Sequence, residues 1–296
     1  MSIAVLAMYP FAHLRDAYDR LWSAVSTRVD GAPESLDRSI DVHDSWLRDD
    51  LLLGQTCGWP LMTRLASRVH VVGAFDHAVG FASGGRYRSV LIAEAPRSVG
   101  EWRSMPGCVV AANSDESLSG WVSLCWAWGG PPPNVLATGS HLESVRAVAE
   151  RRASLASIDA VTFEFIAQQD PVLASLVHVV GHGPSVPSLP LVTSFADRVG
   201  PLRDAFRAVI DDPGLDLEPD HMIRLRKTVR LKKTAHMRGL MRQTPGELRP
   251  VVAGKPCCAD FLAHVPLIPD RTPVLYGAVR AASRGQDAAQ EARRPI

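Results

Sequence analysis

The sequence predicts an α/β fold with largely parallel sheets, on two observations. Short apolar runs alternate along residues 1–215 with helix-periodic stretches and short links, the pattern of strand–helix units packed on a sheet. Two of those links place small hydroxyl residues directly before a helix. They are Asn113-Ser114-Asp115-Glu116-Ser117-Leu118-Ser119-Gly120 and Thr138-Gly139-Ser140-His141-Leu142-Glu143. A helix start exposes unpaired N–H groups at the positive end of the dipole, which makes it a ready anion site.

Each element has its own signal. Val5 to Met8 reads as the first strand, and Phe11, Leu14, Ala17, Tyr18, Leu21, Trp22 and Val25 then repeat with the period of one buried helix face. Gly31 and Pro33 fall in a polar loop, and Asp44–Arg48 forms a helical turn before the strand Leu51–Gln55. Thr56–Leu65 is expected to be helical and Val69–Gly73 extended. Gly84-Gly85 breaks the chain ahead of strands at Tyr87–Ala93 and Val109–Asn113. A helix over Trp121–Trp128 stops at Gly129-Gly130-Pro131-Pro132-Pro133, because proline removes a donor and fixes φ. A helix from His141 to Arg151 and a strand Ala156–Asp159 follow. Leu176–Val180 is apolar, 181–190 is loop, and Leu191–Ser194 is extended. Gln55, Asn113 and Asp159 therefore each sit at the carboxyl end of a strand, where open α/β sheets bind ligands.

The bulk numbers bound the answer. A chain of 296 residues holds two modest domains or one large one. Its 46% hydrophobic and 21% charged content is that of a soluble globular protein. No apolar run reaches the ~18 residues of a membrane span. Ser2–Pro10 is apolar, but no Lys or Arg precedes it and it runs on into an amphipathic helix. It reads as a strand and not as a signal peptide, so the expectation from this segment is a cytoplasmic chain. The five cysteines (Cys57, Cys108, Cys125, Cys257, Cys258) show no C-x-x-C and fit a reducing compartment. The net charge of +1 hides a split: residues 1–220 carry 17 basic and 26 acidic side chains, and residues 221–296 carry 15 and 5.

The chemistry concentrates at the helix starts. Ser140 and Glu143 form an S-x-x-E capping box, and His141 at the first helical position can donate to an oxyanion beside the helix end. Ser117, Ser119 and Gly120 let the backbone approach a ligand closely, while Asp115 and Glu116 repel an anion unless they point away. An ionised Asp159 accepts a hydrogen bond only from a ligand that carries a proton, such as P–OH or an ammonium group, and rejects a bare oxyanion. His178-Val179-Val180-Gly181-His182 has the spacing of a helical metal pair, but its glycines argue against a helix and no zincin glutamate accompanies it. There is no G-x-S-x-G, no phosphate-binding Walker loop and no nameable nucleophile–base pair. No cofactor and no metal are expected.

Taken together these stretches resemble the substrate-binding proteins of phosphate/phosphonate ABC transporters, which have the type 2 periplasmic binding protein fold. The resemblance rests on Met8-Tyr9-Pro10, on Leu52 to Leu61 (LLGQTCGWPL in one-letter code), on Gly85-Arg86-Tyr87-Arg88-Ser89 and on Asp115 to Gly120. It also rests on Gly139-Ser140-His141, Ile158-Asp159-Ala160-Val161 and Leu189-Pro190-Leu191-Val192-Thr193, and it covers residues 1–215. It implies two lobes, a two-strand hinge and a ligand trapped between the lobes. Lobe one would be residues 1–84 with 188–215, and lobe two residues 85–187. Ser117, Ser119, Gly120 and His141 would hold the oxyanion, Asp159 would read a protonated ligand group, and Tyr9, Gln55 and Tyr87 would line the cleft. The partners it implies are a small oxyanion and an ABC transporter permease, and by resemblance the location would be periplasmic.

Residues 216–296 depart from that pattern as a basic extension, expected to be poorly ordered. Arg224, Arg226, Lys227, Arg230, Lys232, Lys233, Arg238 and Arg242 form a dense run. A tail for nucleic acid or an acidic membrane is one reading, although no interleaved aromatics are present to stack on bases. A solvated helix is another, and a shifted reading frame or divergent extension is preferred. The expectation for the whole chain is a non-catalytic binding protein that closes on a small phosphorus oxyanion. The alternative is a cytoplasmic enzyme on the same fold, of the thiamine-precursor or menaquinone-pathway type.

Overall fold

The computed structural model describes residues 2–77, 79 and 81–212. It opens with strand β1 (Ile3–Val5) and helix α1 (Arg15–Ser26). Helix α2 (Val42–Ser45) precedes β2 (Leu51–Gln55), then α3 (Gly58–Pro60), which runs on as a π-turn over Leu61–Leu65, and β3 (His70–Ala74). A hairpin of β4 (Ala82–Ser83) and β5 (Arg86–Tyr87) leads to β6 (Ser89–Ala93), α4 (Val99–Ser104) and β7 (Val110–Ala112). A π-turn over Leu118–Val122 opens α5 (Ser123–Trp128), followed by β8 (Val135–Ala137), α6 (His141–Ala149) and β9 (Leu155–Asp159). Helices α7 (Ala160–Gln169) and α8 (Pro171–Ser175), strands β10 (His178–His182), β11 (Val186–Pro187) and β12 (Pro190–Thr193), and helix α9 (Val199–Ile210) complete it. The basic run and the rest of the expected extension lie outside the described residues.

The strands form two main sheets, ordered β1-β2-β12-β3 and β10-β6-β9-β7-β8. Apolar content explains the order. The central strands β2, β6 and β9 are buried at every position, as strands covered on both faces must be. Edge strand β8 alternates toward solvent. On the first sheet, α1 buries Ala17, Tyr18, Leu21, Trp22 and Val25, the face its sequence period marks.

The sheets are mixed, which corrects the expectation of largely parallel ones. β1–β2, β7–β8 and β7–β9 run parallel, whereas β12 is antiparallel to β2 and β3, and β6 is antiparallel to β9 and β10. The chain passes from the first sheet to the second between β3 and β6 and returns between β10 and β12. Neither passage contains a helix, so β6 and β12 are not set by the strand–helix–strand units that give parallel neighbours. Apolar runs record burial and carry no strand direction.

The two passages are bonded to one another. Tyr87 pairs with Val186 and Arg86 with Pro187. The Gly183 N–H donates to the Ser89 carbonyl at 2.8 Å and the Ser188 N–H to the Gly85 carbonyl at 3.0 Å. The Arg86 guanidinium donates to the Ser185 carbonyl at 2.6 Å and to its hydroxyl at 3.0 Å. Gly84 and Gly85, at φ +63° and +73°, make the two-residue turn that aims β5 at this contact.

Sequence reading missed α4, α7, α8 and α9. For α4 a signal was present in Ser98-x-x-Glu101, which forms a full capping box. At α6 the reverse holds: the Ser140 hydroxyl accepts the Glu143 N–H at 3.1 Å, but the Glu143 carboxylate turns to Arg146 at 2.5 Å and leaves the box half made.

Trp22 anchors the first sheet's helical cover. It is fully buried, and its indole N–H donates to the Pro33 carbonyl at 3.0 Å. Trp22→Ala should lower the unfolding free energy by about 3–5 kcal/mol. Urea titration should show this as a lower midpoint at unchanged slope; a midpoint within error of the parent would remove Trp22 from the set of core anchors.

Candidate functional site

Strands β9, β7 and β8 are parallel neighbours, so their carboxyl ends lie at one end of the second sheet. Each is followed by a helix start, at Leu118, His141 and Ala160. The three starts therefore gather on one spot, and there they line a cavity of about 300 Å³. Among the sequence-derived candidates, Tyr9, Ser117, Ser119, His141 and Asp159 line it. Gly120, Gln55 and Tyr87 are not in its lining.

Each start is capped from its own chain. The Ser117 hydroxyl accepts the Gly120 N–H at 2.9 Å, and the Asp159 carboxylate accepts the Thr162 N–H at 3.0 Å. The Gly120 N–H is thus already used, and its glycine serves packing instead. A Cβ there would stand 1.7 Å from Asn113 Oδ1 and 3.0 Å from Ser117 Oγ. The first N–H groups of a helix remain outside its own bonding.

Ser119 and His141 meet across the cavity wall. The serine hydroxyl and His141 Nε2 share a hydrogen bond of 2.9 Å, a pairing that residues from separate elements do not announce in sequence. Burial pushes the His141 pKa down to about 4, so the ring is neutral at ordinary pH. Its Nδ1 is buried with no hydrogen-bond partner, as is Asn113 Oδ1. The Ser119 carbonyl accepts from the buried Ser157 hydroxyl at 2.6 Å, which fixes the π-turn to β9.

Asp159 is 2% exposed. Burial pushes its carboxyl up to about 6, against the lowering pull of the Thr162 and Val161 N–H groups. Burial also raises the Tyr9 and Tyr87 hydroxyls, and the Asp159 charge raises both further. The Tyr87 hydroxyl and Gln55 Nε2 are buried without a hydrogen-bond partner of ordinary geometry. The Gln55 backbone carbonyl accepts the Trp46 indole N–H at 2.9 Å.

The two sides of the cavity come from different sheets. Met8, Tyr9, Phe11, His43, Trp46, Cys57, Pro60 and Leu189 belong to elements around the first, and Asn113, Ser117, Ser119, Ser140, His141 and Asp159 to the second. Sequence reading missed the apolar side because its residues are scattered, with Trp46 alone in a polar stretch. Neither Lys nor Arg is among the lining residues. Glu116 lines the cavity while its carboxylate pairs with Arg64 at 3.2 Å, which answers the repulsion expected of it. Among the described residues no cluster could hold a metal ion and no helix could cross a membrane. His178 and His182 lie on strand β10.

The raised Asp159 pKa sets a sign. An acid whose folded pKa exceeds its unfolded value stabilises the fold below the unfolded pKa and loses that contribution as pH rises through the folded one. The gap from 3.8 to about 6 corresponds to about 3 kcal/mol. Asp159→Asn, which keeps a cap oxygen, should therefore be more stable than the parent by up to about that amount at pH 7.5, with the gain absent near pH 4. Denaturant melts at both pH values check this, and a pH-independent difference would rule it out.

No protein-family model and no curated protein matches the chain. Solved structures do. A binding protein component of an ABC phosphonate transporter from Pseudomonas aeruginosa aligns over 73% of this chain and 76% of its own, at 16% identity and a TM-score of 0.58. A chloride-bound protein from Xanthomonas citri aligns over 69% and 82%, at 15% identity and a TM-score of 0.52. At such identities the likeness concerns the fold alone: the chain has the α/β architecture of the ABC-transporter binding proteins.

Proposed function

We propose that this chain is a solute-binding protein for a small oxyanion of phosphate or phosphonate type, and that it acts by closing two lobes on its ligand. The observation that carries the reading is the gathering of three helix starts, with Ser119, His141 and Asp159, on one cavity. The helix dipoles there favour negative charge. His141 Nδ1, in the tautomer that carries its proton, is a donor awaiting an acceptor. With no Lys or Arg in the lining, a monoanion suits the site better than a dianion. Above about pH 6 Asp159 is ionised and accepts the proton of a P–OH group, which sulfate lacks.

Closure would exclude water from the anion and turn occupancy into a shape that a permease recognises. The paired segments Arg86–Tyr87 and Val186–Pro187 are the proposed hinge, with lobes at residues 1–84 plus 188–215 and at 85–187. The enzyme alternative gains a hydroxyl–imidazole pair from Ser119 and His141 but no acid to orient Nδ1. Reversible stoichiometric binding without product separates the two.

Thermal-shift titration of the full chain with phosphate, methylphosphonate and sulfate tests the reading. A ligand at a hundred times its Kd stabilises the native state by about 2.7 kcal/mol, so phosphorus oxyanions should raise the Tm and sulfate should not. His141→Ala should weaken binding roughly tenfold or more, the weight of a charge-assisted hydrogen bond, and unchanged affinity would exclude it from the site. Asp159→Asn should narrow the preference for phosphorus oxyanions over sulfate; equal selectivity in variant and parent would end that role.

A further inference from the structure

Helix α7 packs on β9 and β6 of the second sheet, yet one of its rings reaches residues that belong with the first. The Phe165 centroid lies 5.4 Å from that of Tyr9, 5.5 Å from that of Phe11 and 5.8 Å from that of His13. Tyr9 is backed in turn by His77 at 5.5 Å, His77 by Phe75 at 6.2 Å, and Phe75 by Phe206 of α9 at 5.8 Å. The rings on that side are thus anchored to one another, and Phe165 meets them from across the seam. It is 2% exposed and stands outside the cavity lining, whereas Tyr9 and Phe11 line the cavity. A second close approach marks the same seam. Cys57 Sγ accepts the Leu118 N–H at 3.3 Å, and a Cβ on Gly58 would stand 3.1 Å from Leu118 Cδ2.

We propose that Phe165 is a latch between the two lobes: its ring, seated on Tyr9, Phe11 and His13, sets how often the lobes part. This rests on the two-lobe reading above and goes beyond it, since that reading assigns closure to the ligand. Rings in edge and tilted contact attract one another beyond the area they cover, and this attraction needs no bound oxyanion. Because Tyr9 and Phe11 line the cavity, Phe165 acts through them as a positioning residue. Parting the latch frees the wall that faces Ser119 and His141.

Amide hydrogen exchange, followed by NMR on the full chain at pH 7 without added ligand, tests the latch. The Leu118 N–H spans the seam. The Val122 N–H bonds within its own π-turn, to the Ser117 carbonyl at 3.0 Å, and the amides of β9, buried at every position, report unfolding of the whole. In the parent, Leu118 should exchange faster than β9, because parting the lobes costs less than unfolding them. Phe165→Leu keeps apolar bulk and removes the ring. It should speed Leu118 about tenfold, the combined weight of three ring pairs, and leave Val122 near its parental rate. Phe11→Leu removes one pair across the seam and should speed Leu118 about threefold; it carries the test should Phe165→Leu fail to fold. Leu118 exchanging faster than β9 but at the parental rate in both variants would overturn the latch and leave the two lobes standing. Equal acceleration of Leu118 and Val122, the mark of a loosened turn, would do the same. One common rate for Leu118, Val122 and β9 in parent and variants would overturn both, since the chain would then open only by unfolding.

Discussion

Three backbone ends of one kind cannot be gathered without consequence. Because β9, β7 and β8 run parallel side by side, the helices that follow them all begin at the same edge of the sheet, and each brings N–H groups that its own turn cannot satisfy. Much of the site answers that constraint. Ser117 and Ser140 each consume one N–H as a cap, Asp159 draws on those of Thr162 and Val161, and Ser157 ties down the carbonyl of the π-turn. The same positive edge makes it tolerable to bury an ionisable carboxyl at Asp159, since two N–H groups oppose the rise that burial imposes.

A site built on one sheet still needs a lid, and the topology supplies it. The chain leaves the first sheet after β3 and returns after β10, and the two passages meet as β5 and β11. That pairing ties the position of Met8, Trp46 and Leu189 to that of Ser119 and His141 through a narrow, hydrogen-bonded neck. Contacts beyond the neck are both apolar and polar: Tyr9 and Phe11 pack on Phe165 of α7, with ring centroids 5.4 and 5.5 Å apart. Cys57 Sγ accepts the Leu118 N–H at 3.3 Å, and Arg64 meets Glu116 at 3.2 Å on the surface. Exposed pairs of that kind contribute at most ~1 kcal/mol, so the paired strands and the buried aromatic contacts hold the walls in register.

How much of this was legible depended on whether the signal was local. The helix starts at Ser117 and Ser140 were readable because capping is written in adjacent residues, whereas the helix capped by Asp159 was missed. The buried face of α1 was readable because its period is. Strand direction was not, and the mixed sheets had to be seen. The Ser119–His141 hydrogen bond joins residues on separate elements, and Gly120, which looked like a ligand cradle, turned out to be a packing glycine against Asn113. Gln55 does end strand β2, yet neither it nor Tyr87 is in the cavity lining. Trp46 was overlooked for the plainest reason: a lone aromatic in a polar stretch carries no periodicity.

The absence of lysine and arginine from the lining shapes the energetics of the proposed function. A site that holds an anion with cations draws much of its affinity from formal charge, which weakens as salt rises wherever the charges are exposed. In the proposed site the attraction would come from fixed dipoles and from hydrogen bonds at a fixed distance, and it would reach little beyond the cavity. Such a site discriminates by whether each donor and acceptor finds a partner, because a buried group left unpaired costs more than a made bond contributes. Asp159 then cuts two ways: with a ligand that carries a proton it completes the set, and with one that does not it is a buried charge facing another. Selectivity would thus follow from the protonation state of the ligand, set against a carboxyl that burial has moved toward the same pH range.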